Sequence, residues 1–471
     1  MSNKVRKEHD LLGEREIPAD AYYGVQTLRA TENFQITGIP LSSYPTFVSS
    51  LAYVKKAAAL ANGQLGLLPP DVADAIGRAC DDVLDGKHRE HFVVDMIQGG
   101  AGTSTNMNAN EVIANIALEK LGYEKGRYDV VHPNNHVNLC QSTNDVYPTA
   151  IRLTLILKIK DLVEAMDYLR SAFEKKSREF AHVIKMGRTQ LQDAVPMTLG
   201  QEFGAWALML AEDMDRMREA QALVKEINLG ATAIGTGLNA HPDYAPLVAE
   251  KLRQLTGIDV LTSPDLVEAT QDSGAYVQLS GVLKRFAVKI SKICNDLRLL
   301  ASGPRCGLNE INLPPMAPGS TIMPGKVNPI IPEVVNQVAF FVIGNDVTVS
   351  FAAEAGQLEL NVMEPVMAFS LCNSLVTLKR ASRTLADRCV LGITANQDRC
   401  REYVECSIGL VTALNPYIGY ERSTEIAHEA LATKRSVCEL VLEKGYLKKE
   451  ELDDILSPEN MIKPRYMEKN R

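Results

Sequence analysis

The chain has a single tryptophan among 471 residues, and its nine cysteines include no Cys-x-x-Cys pair. An odd count without paired spacing excludes a disulfide framework and a thiolate zinc ribbon. Cys294 and Cys372 instead sit inside apolar helical patterns, as reduced, buried thiols would. No block of basic residues interrupts a net charge of −8, and the pI is 5.6, so nucleic acid has no electrostatic footprint here. Nothing after Met1-Ser2-Asn3-Lys4-Val5-Arg6 has the apolar core of a signal peptide. No run is expected to supply the roughly 20 apolar residues that cross a membrane. A cytoplasmic location follows as the expectation. Gly-x-Ser-x-Gly, His-Glu-x-x-His and Walker-type patterns are also absent, which removes the common nucleophile, zinc-peptidase and nucleotide signatures.

What is present is the balance of a globular protein, with 46% hydrophobic and 23% charged residues. The length is too great for one ordinary core and predicts two or three domains. Apolar periodicity carries most of the structural signal. Leu155, Ile159, Leu162, Met166, Leu169 and Phe173 recur at helical spacing. A second series runs Leu199, Phe203, Trp206, Leu210, Met217, Ala220, Val224 and Ile227, interrupted by Asp213. A third runs from Tyr276 to Leu300, and weaker ones cover Val335–Ala352 and Leu371–Cys389. Such seams predict helices of roughly 30–45 Å. Five of them can hide their stripes in one bundle, and surplus apolar surface favours association of bundles.

This gives a mainly α fold in three parts. Residues 1–141 form a mixed, mostly helical domain with helices over Phe47–Leu65 and Val72–Leu84. Residues 142–396 form the central long-helix bundle, and 397–471 a small helical domain punctuated by Asn415-Pro416 and Gly445. No internal repeat or low-complexity segment is apparent.

Four loops concentrate small hydroxyls, amides and glycines. They are Gly99–Asn108, Gln141-Ser142-Thr143-Asn144-Asp145, Gly187–Asp193 and Gly319-Ser320-Thr321-Ile322-Met323-Pro324-Gly325-Lys326-Val327-Asn328-Pro329. Glycines let backbone approach a ligand, and a Thr/Ser run opening a helix offers donors to carboxylate oxygens. A plain helix cap would look the same in the first two loops. His132 and His136 have the spacing of a helical metal pair, but Pro133-Asn134-Asn135 between them argues for a turn and hydrogen-bonded histidines.

The fourth loop is the specific one, with adjacent hydroxyls, a Pro-Gly hinge, then Lys326 and Asn328 closed by Pro329. It resembles the signature of the aspartase/fumarase superfamily. The other three loops resemble that superfamily's remaining site segments in the same order. Agreement runs from Asp20–Arg29 to Gly392–Asn396. Leu11-Leu12-Gly13, Met186–Gln190 and Gly356–Pro365 look like bacterial aspartases rather than fumarases.

That resemblance implies a three-domain lyase with a tetramer core of about 20 helices, five from each subunit. Each site would draw loops from three subunits of the homotetramer. It also implies reversible deamination of L-aspartate to fumarate by anti-elimination through an enediolate. Ser320 would be the catalytic base. Thr103, Ser142, Thr143 and Thr321 would surround the carboxylate that becomes the enediolate, with Thr321 standing where the family usually has Ser. Thr189, Lys326 and Asn328 would hold the other carboxylate. Asn144 and Gln190 would orient the amino group, and Arg29 would add positive charge. Arg188 reads either as a further cation at the site or as a structural ion-pair partner. No cofactor or metal ligand takes part in this chemistry, and Mg2+ or another divalent cation enters as an activator.

The alternative is a fumarase-type hydratase. Fumarases place a His, paired with a Glu matching Glu333, where Gln190 stands, and a glutamine has no proton to exchange at neutral pH. Argininosuccinate and adenylosuccinate lyases normally rely on a His in the same loop. A non-catalytic, crystallin-like role leaves the retention of Ser320, Lys326, Asn328 and the Thr103 loop without a reason.

Overall fold

The computed structural model describes residues 4–462. Among them are 17 α-helices and four two-stranded sheets. The hairpin β1 (Val5–Asp10) and β2 (Gly13–Pro18) is followed by α1 (Val25–Asn33), α2 (Pro45–Gln64), α3 (Pro70–Leu84) and α4 (Thr103–Lys120). Proline opens both α2 and α3, where its fixed φ suits the first turn and its missing N–H is not needed. The expected starts at Phe47 and Val72 therefore fall two residues late.

The five long helices are α5 (Thr143–Glu179), α6 (Leu199–Leu223), α9 (Gly274–Leu300), α10 (Ile330–Glu354) and α11 (Glu364–Arg388); α7 (Tyr244–Thr256) and α8 (Leu266–Gln271) precede α9. With 37 residues, α5 extends about 55 Å and exceeds the length expected from its apolar seam. Pro148, in its second turn, offers no N–H to Asn144 O, which accepts instead from Asn228 Nδ2 at 2.9 Å. The second apolar series overshoots its helix. After Leu223 the chain turns, and Ile227 belongs to the short strand β5 (Glu226–Ile227), paired in parallel with β6 (Leu261–Thr262).

The chain forms two compact units. The first comprises the chain up to Val163, Asp215–Arg285 and Phe340–Leu378; the second comprises Glu164–Met214, Phe286–Ala339 and the chain from Lys379 onward. The division between these units runs through all five long helices, and helices open at Thr143 and Gln397.

Within the second unit, Phe173, Phe180, Phe203 and Trp206 stack with centroid separations of 4.8–6.0 Å. Burial of each such side chain contributes on the order of 2–3 kcal/mol. Asp213, the polar interruption in that seam, is buried and paired with Lys289 at 2.9 Å. Helices over Gln397–Cys406, Leu410–Ile418 and Tyr420–Thr433 continue this unit, with Leu414, Ile426 and Leu440 at their core.

By length and composition α10 passes as a membrane-spanning candidate, with a mean hydropathy of 1.3. Its polar residues are dispersed along the helix, so no single apolar run stands out in the sequence. Phe340, Val347 and Phe351, spaced seven and four apart, leave an exposed apolar stripe on it.

Candidate active site

In the first unit, two helix N-termini converge. The glycine loop ends at Gly102, whose φ of +90° is in the left-handed region, and α4 begins at Thr103. A Cβ at Gly102 would lie 2.4 Å from the Tyr147 ring, so the position needs glycine for close approach as well as for conformation. Thr143 opens α5, and Asn106 in the first turn of α4 donates Nδ2 to Thr143 Oγ1 at 3.0 Å. The helix dipoles at both starts favour an anion beside them, while Thr103 N and Thr105 N are already given to Gly100 O at 3.0 Å and Gln98 Oε1 at 2.9 Å.

Other bonds in this cluster set what each side chain can do. Thr103 Oγ1 donates to Gly100 O at 2.7 Å, so its hydroxyl must rotate to donate to a ligand. Ser142 Oγ accepts from Asn144 N at 3.3 Å and keeps its own proton for another partner. Asn144 Nδ2 donates to Ala233 O at 2.7 Å, which leaves Oδ1 to accept from an ammonium group.

Sequence reasoning missed the support beneath this cluster. Asp145 accepts from the N–H groups of Ser142, Gly230 and Thr232 at 3.0 Å each and is fully buried. Burial pushes its carboxyl up to about 6, against those hydrogen bonds and the nearby Lys55. Lys55 is buried too, and desolvation brings its ammonium down to about 7. A lysine and an aspartate inside otherwise apolar or motif-like stretches were the available signals.

Arg29 is also in this unit, but its guanidinium is bidentate to Asp10, at 2.7 and 2.9 Å, and also donates to Gly13 O. A ligand carboxylate reaching it would compete with Asp10.

The second unit carries the other candidates. The third loop is the tip of an antiparallel hairpin, β3 (Ile184–Thr189) with β4 (Gln192–Thr198), in which Thr189 faces Gln192. Gln190 and Leu191 form the two-residue turn with φ of 54° and 62°. Two consecutive left-handed residues make a type I′ turn, normally signalled by Asn-Gly, so nothing in Gln-Leu announced it. Thr189 and Gln190 are exposed at this tip. Arg188, by contrast, is tied to buried Glu310 at 2.5 Å, and Lys185 also pairs with Glu310 at 3.0 Å.

Ser320 Oγ accepts from the backbone N–H groups of Ile322 at 3.2 Å and Met323 at 3.0 Å. Gly319 N donates to Lys326 O at 2.7 Å, and Asn328 Nδ2 donates to Gly319 O at 2.6 Å. These bonds pin the neck of the loop while Thr321 to Val327 remain exposed. A Cβ at Gly319 would clash with Lys326 O, whereas Gly325, with φ +82°, has open space around it. Of the two glycines, Gly325 is the one free to act as a hinge. Asn328 must release Gly319 O before its amide can donate to a ligand.

His132 Nδ1 accepts from Asn134 N and Asn135 N, and His136 Nδ1 accepts from His132 N, within a single π-helical turn. This is the hydrogen-bonded arrangement expected. Among the described residues no cluster of three or more His, Cys, Asp or Glu is arranged to hold a metal ion. All nine cysteines are free thiols.

The structure thus brings Thr103, Ser142, Thr143 and Asn144 together in one unit. It places Thr189 and Gln190 on one loop and Ser320, Thr321, Lys326 and Asn328 on another loop of the second unit.

The sequence profile described as Lyase matches residues 13–344, and that of the fumarase C C-terminus matches 410–463. Aspartate ammonia-lyase of Pseudomonas aeruginosa is 63% identical over 98% of this chain and 97% of its own length. That of Helicobacter pylori strain J99 is 61% identical over 99% and 100% respectively. A solved structure of fumarate lyase:delta crystallin from Brucella melitensis bound to cobalt has a TM-score of 0.96 at 56% identity, covering 98% of this chain and 100% of that one.

Proposed function

The chain belongs to the aspartase/fumarase superfamily, among the aspartate ammonia-lyases, and from that premise we infer that it deaminates L-aspartate reversibly to fumarate and ammonia. It is a carbon–nitrogen lyase. One observation carries the catalytic assignment: Ser320 Oγ receives two backbone N–H groups inside a loop with a pinned neck. Hydrogen bonds to the charged form lower a hydroxyl's pKa, and Lys326 six residues on adds positive charge, so Ser320 can serve as an alkoxide base.

In this reading Ser320 takes the proton from the carbon next to one carboxylate. The released electron pair delocalises into that carboxylate as an enediolate, held by donors from Thr103, Ser142, Thr143 and Thr321. Thr189, Lys326 and Asn328 hold the second carboxylate. The pair then forms the C=C bond as the C–N bond breaks, and nitrogen leaves with the C–N pair as neutral ammonia. Because the leaving group is already an ammonium, it needs no acid. Asn144 Oδ1 and Gln190 suffice to orient it. A hydratase needs an acid–base group at that position, which Gln190 cannot supply.

The two groups of candidate residues lie in different units, and the assembly we propose brings them together across the subunits of a homotetramer, three to a site. The exposed stripe of Phe340, Val347 and Phe351 supports such association. The three-part domain division describes the chain's contribution to that assembly. We place the protein in the cytoplasm, in keeping with nine unpaired thiols. A divalent cation such as Mg2+ has the role of an activator in this reading. The test is the ultraviolet absorbance of fumarate, followed with L-aspartate and separately with L-malate. Fumarate is expected from aspartate alone; formation from malate alone would make the protein a hydratase.

A further inference from the structure

Behind Thr143 lies a chain of buried and half-buried polar groups whose hydrogen-bond directions can be read from one end. Lys55, with no solvent exposure, donates Nζ to Asn138 Oδ1 and to Gln141 Oε1, both at 2.9 Å. In its ammonium form Lys55 has no lone pair, so the atom of Asn138 that then faces it is the oxygen. Asn138 Nδ2 correspondingly donates to Gln141 O at 3.2 Å. The same Oδ1 then accepts from Asn106 Nδ2 and Asn110 Nδ2, each at 3.1 Å. Asn106 is 1% exposed, and with its amine toward Asn138 it also presents that amine to Thr143 Oγ1 at 3.0 Å.

We propose that Lys55, Asn138 and Asn106 form a polarity relay that fixes Thr143 as a hydrogen-bond donor to the substrate carboxylate. Because Thr143 Oγ1 accepts from Asn106, its own proton cannot be spent on that neighbour and is left for the ligand. Were the Asn106 amide reversed, its oxygen would take the Thr143 proton and turn a lone pair toward the developing enediolate. That contact would be repulsive where the reaction most needs attraction. Asn106 and Asn138 are positioning residues in this account, acting through Thr143. The inference rests on Thr143 being a substrate ligand, as proposed above.

The polarity argument predicts an order that a packing role would not. Asn106→Asp keeps the shape but offers acceptors to Thr143; Asn106→Ala removes the side chain and leaves Thr143 free to donate. The measurement is kcat and KM for L-aspartate in Asn106→Asp, Asn106→Ala, Thr143→Val and the double variant Asn106→Asp/Thr143→Val, with circular dichroism and oligomer size as checks on folding. Asn106→Asp is expected to lose at least about tenfold more kcat/KM than Asn106→Ala. That excess is expected to vanish when Thr143 is already Val. If Asn106→Asp matches or exceeds Asn106→Ala while Thr143→Val is impaired, the relay is wrong. If Thr143→Val is fully active, the assignment of Thr143 to the site is wrong instead. Should Asn106→Asp not fold, the comparison of the other two single variants decides. The relay requires Asn106→Ala to retain clearly more activity than Thr143→Val, and equal loss overturns it.

Discussion

Glu364, at the start of α11, illustrates what a single buried group does to the pH response of the fold. Burial pushes its carboxyl up to about 8, opposed by the charge of Arg152. The folded carboxyl therefore holds its proton across the interval from the ordinary value of 4.5 to about 8, where the unfolded chain releases it. Folded protein binds more protons there, so this group makes stability fall as pH rises through that window and level off above it. Glu364→Gln cannot ionise and lacks that slope. Its thermal midpoint should match the parent near pH 5 and exceed it at pH 9 by on the order of a few degrees. A midpoint lower than the parent's at pH 9 would show that the ionised carboxylate is stabilising, through Arg152. The sequence displayed Glu364 within Gly356–Pro365 but could not reveal its burial. Similarly, Asn106 and Asn108 were visible in the first loop, whereas the partnership of Asn106 with Asn138 and Lys55 spans 32 to 83 residues and exists only after folding.

At the scale of elements, the long helices were legible because their apolar seams repeat with the helical period over many turns. Their ends were not. Val224, buried in the turn after Leu223, and Ile227 continue the α6 periodicity although the backbone has left the helix; Ile227 does so because β5 pairs with β6 and a buried strand wants the same apolar residues. The β3–β4 hairpin was hidden for a different reason, since its turn uses Gln190 and Leu191 in conformations that usually select Asn and Gly. The start of α4 was readable from its glycines, and its packing suggests a direct test. Gly102→Ala would force a methyl group into the Tyr147 ring in a left-handed conformation. Loss of on the order of 2–3 kcal/mol of stability is expected from overpacking and backbone strain together. The denaturation midpoint should fall accordingly, and kcat/KM for L-aspartate should drop with the displaced Thr103. A variant with parental stability and activity would mean that the loop has room the structure does not show.

For the whole molecule, the sequence carried the family resemblance and the loop chemistry further than the geometry of one chain does. Thr143 and Ser320 stand in different compact units, and the account requires them to meet through neighbouring subunits. Ser320→Ala and Thr143→Val subunits provide the most direct measurement. Each parent should be nearly inactive alone, and the two should be unfolded, mixed in equal amounts and refolded together. If a site takes Ser320 from one subunit and Thr143 from another, random assembly leaves both groups intact in about one quarter of the sites. The mixture should then regain about a quarter of the activity of the unaltered protein per site. Activity no greater than the sum of the two parents, in mixed tetramers verified by mass, would contradict the shared site.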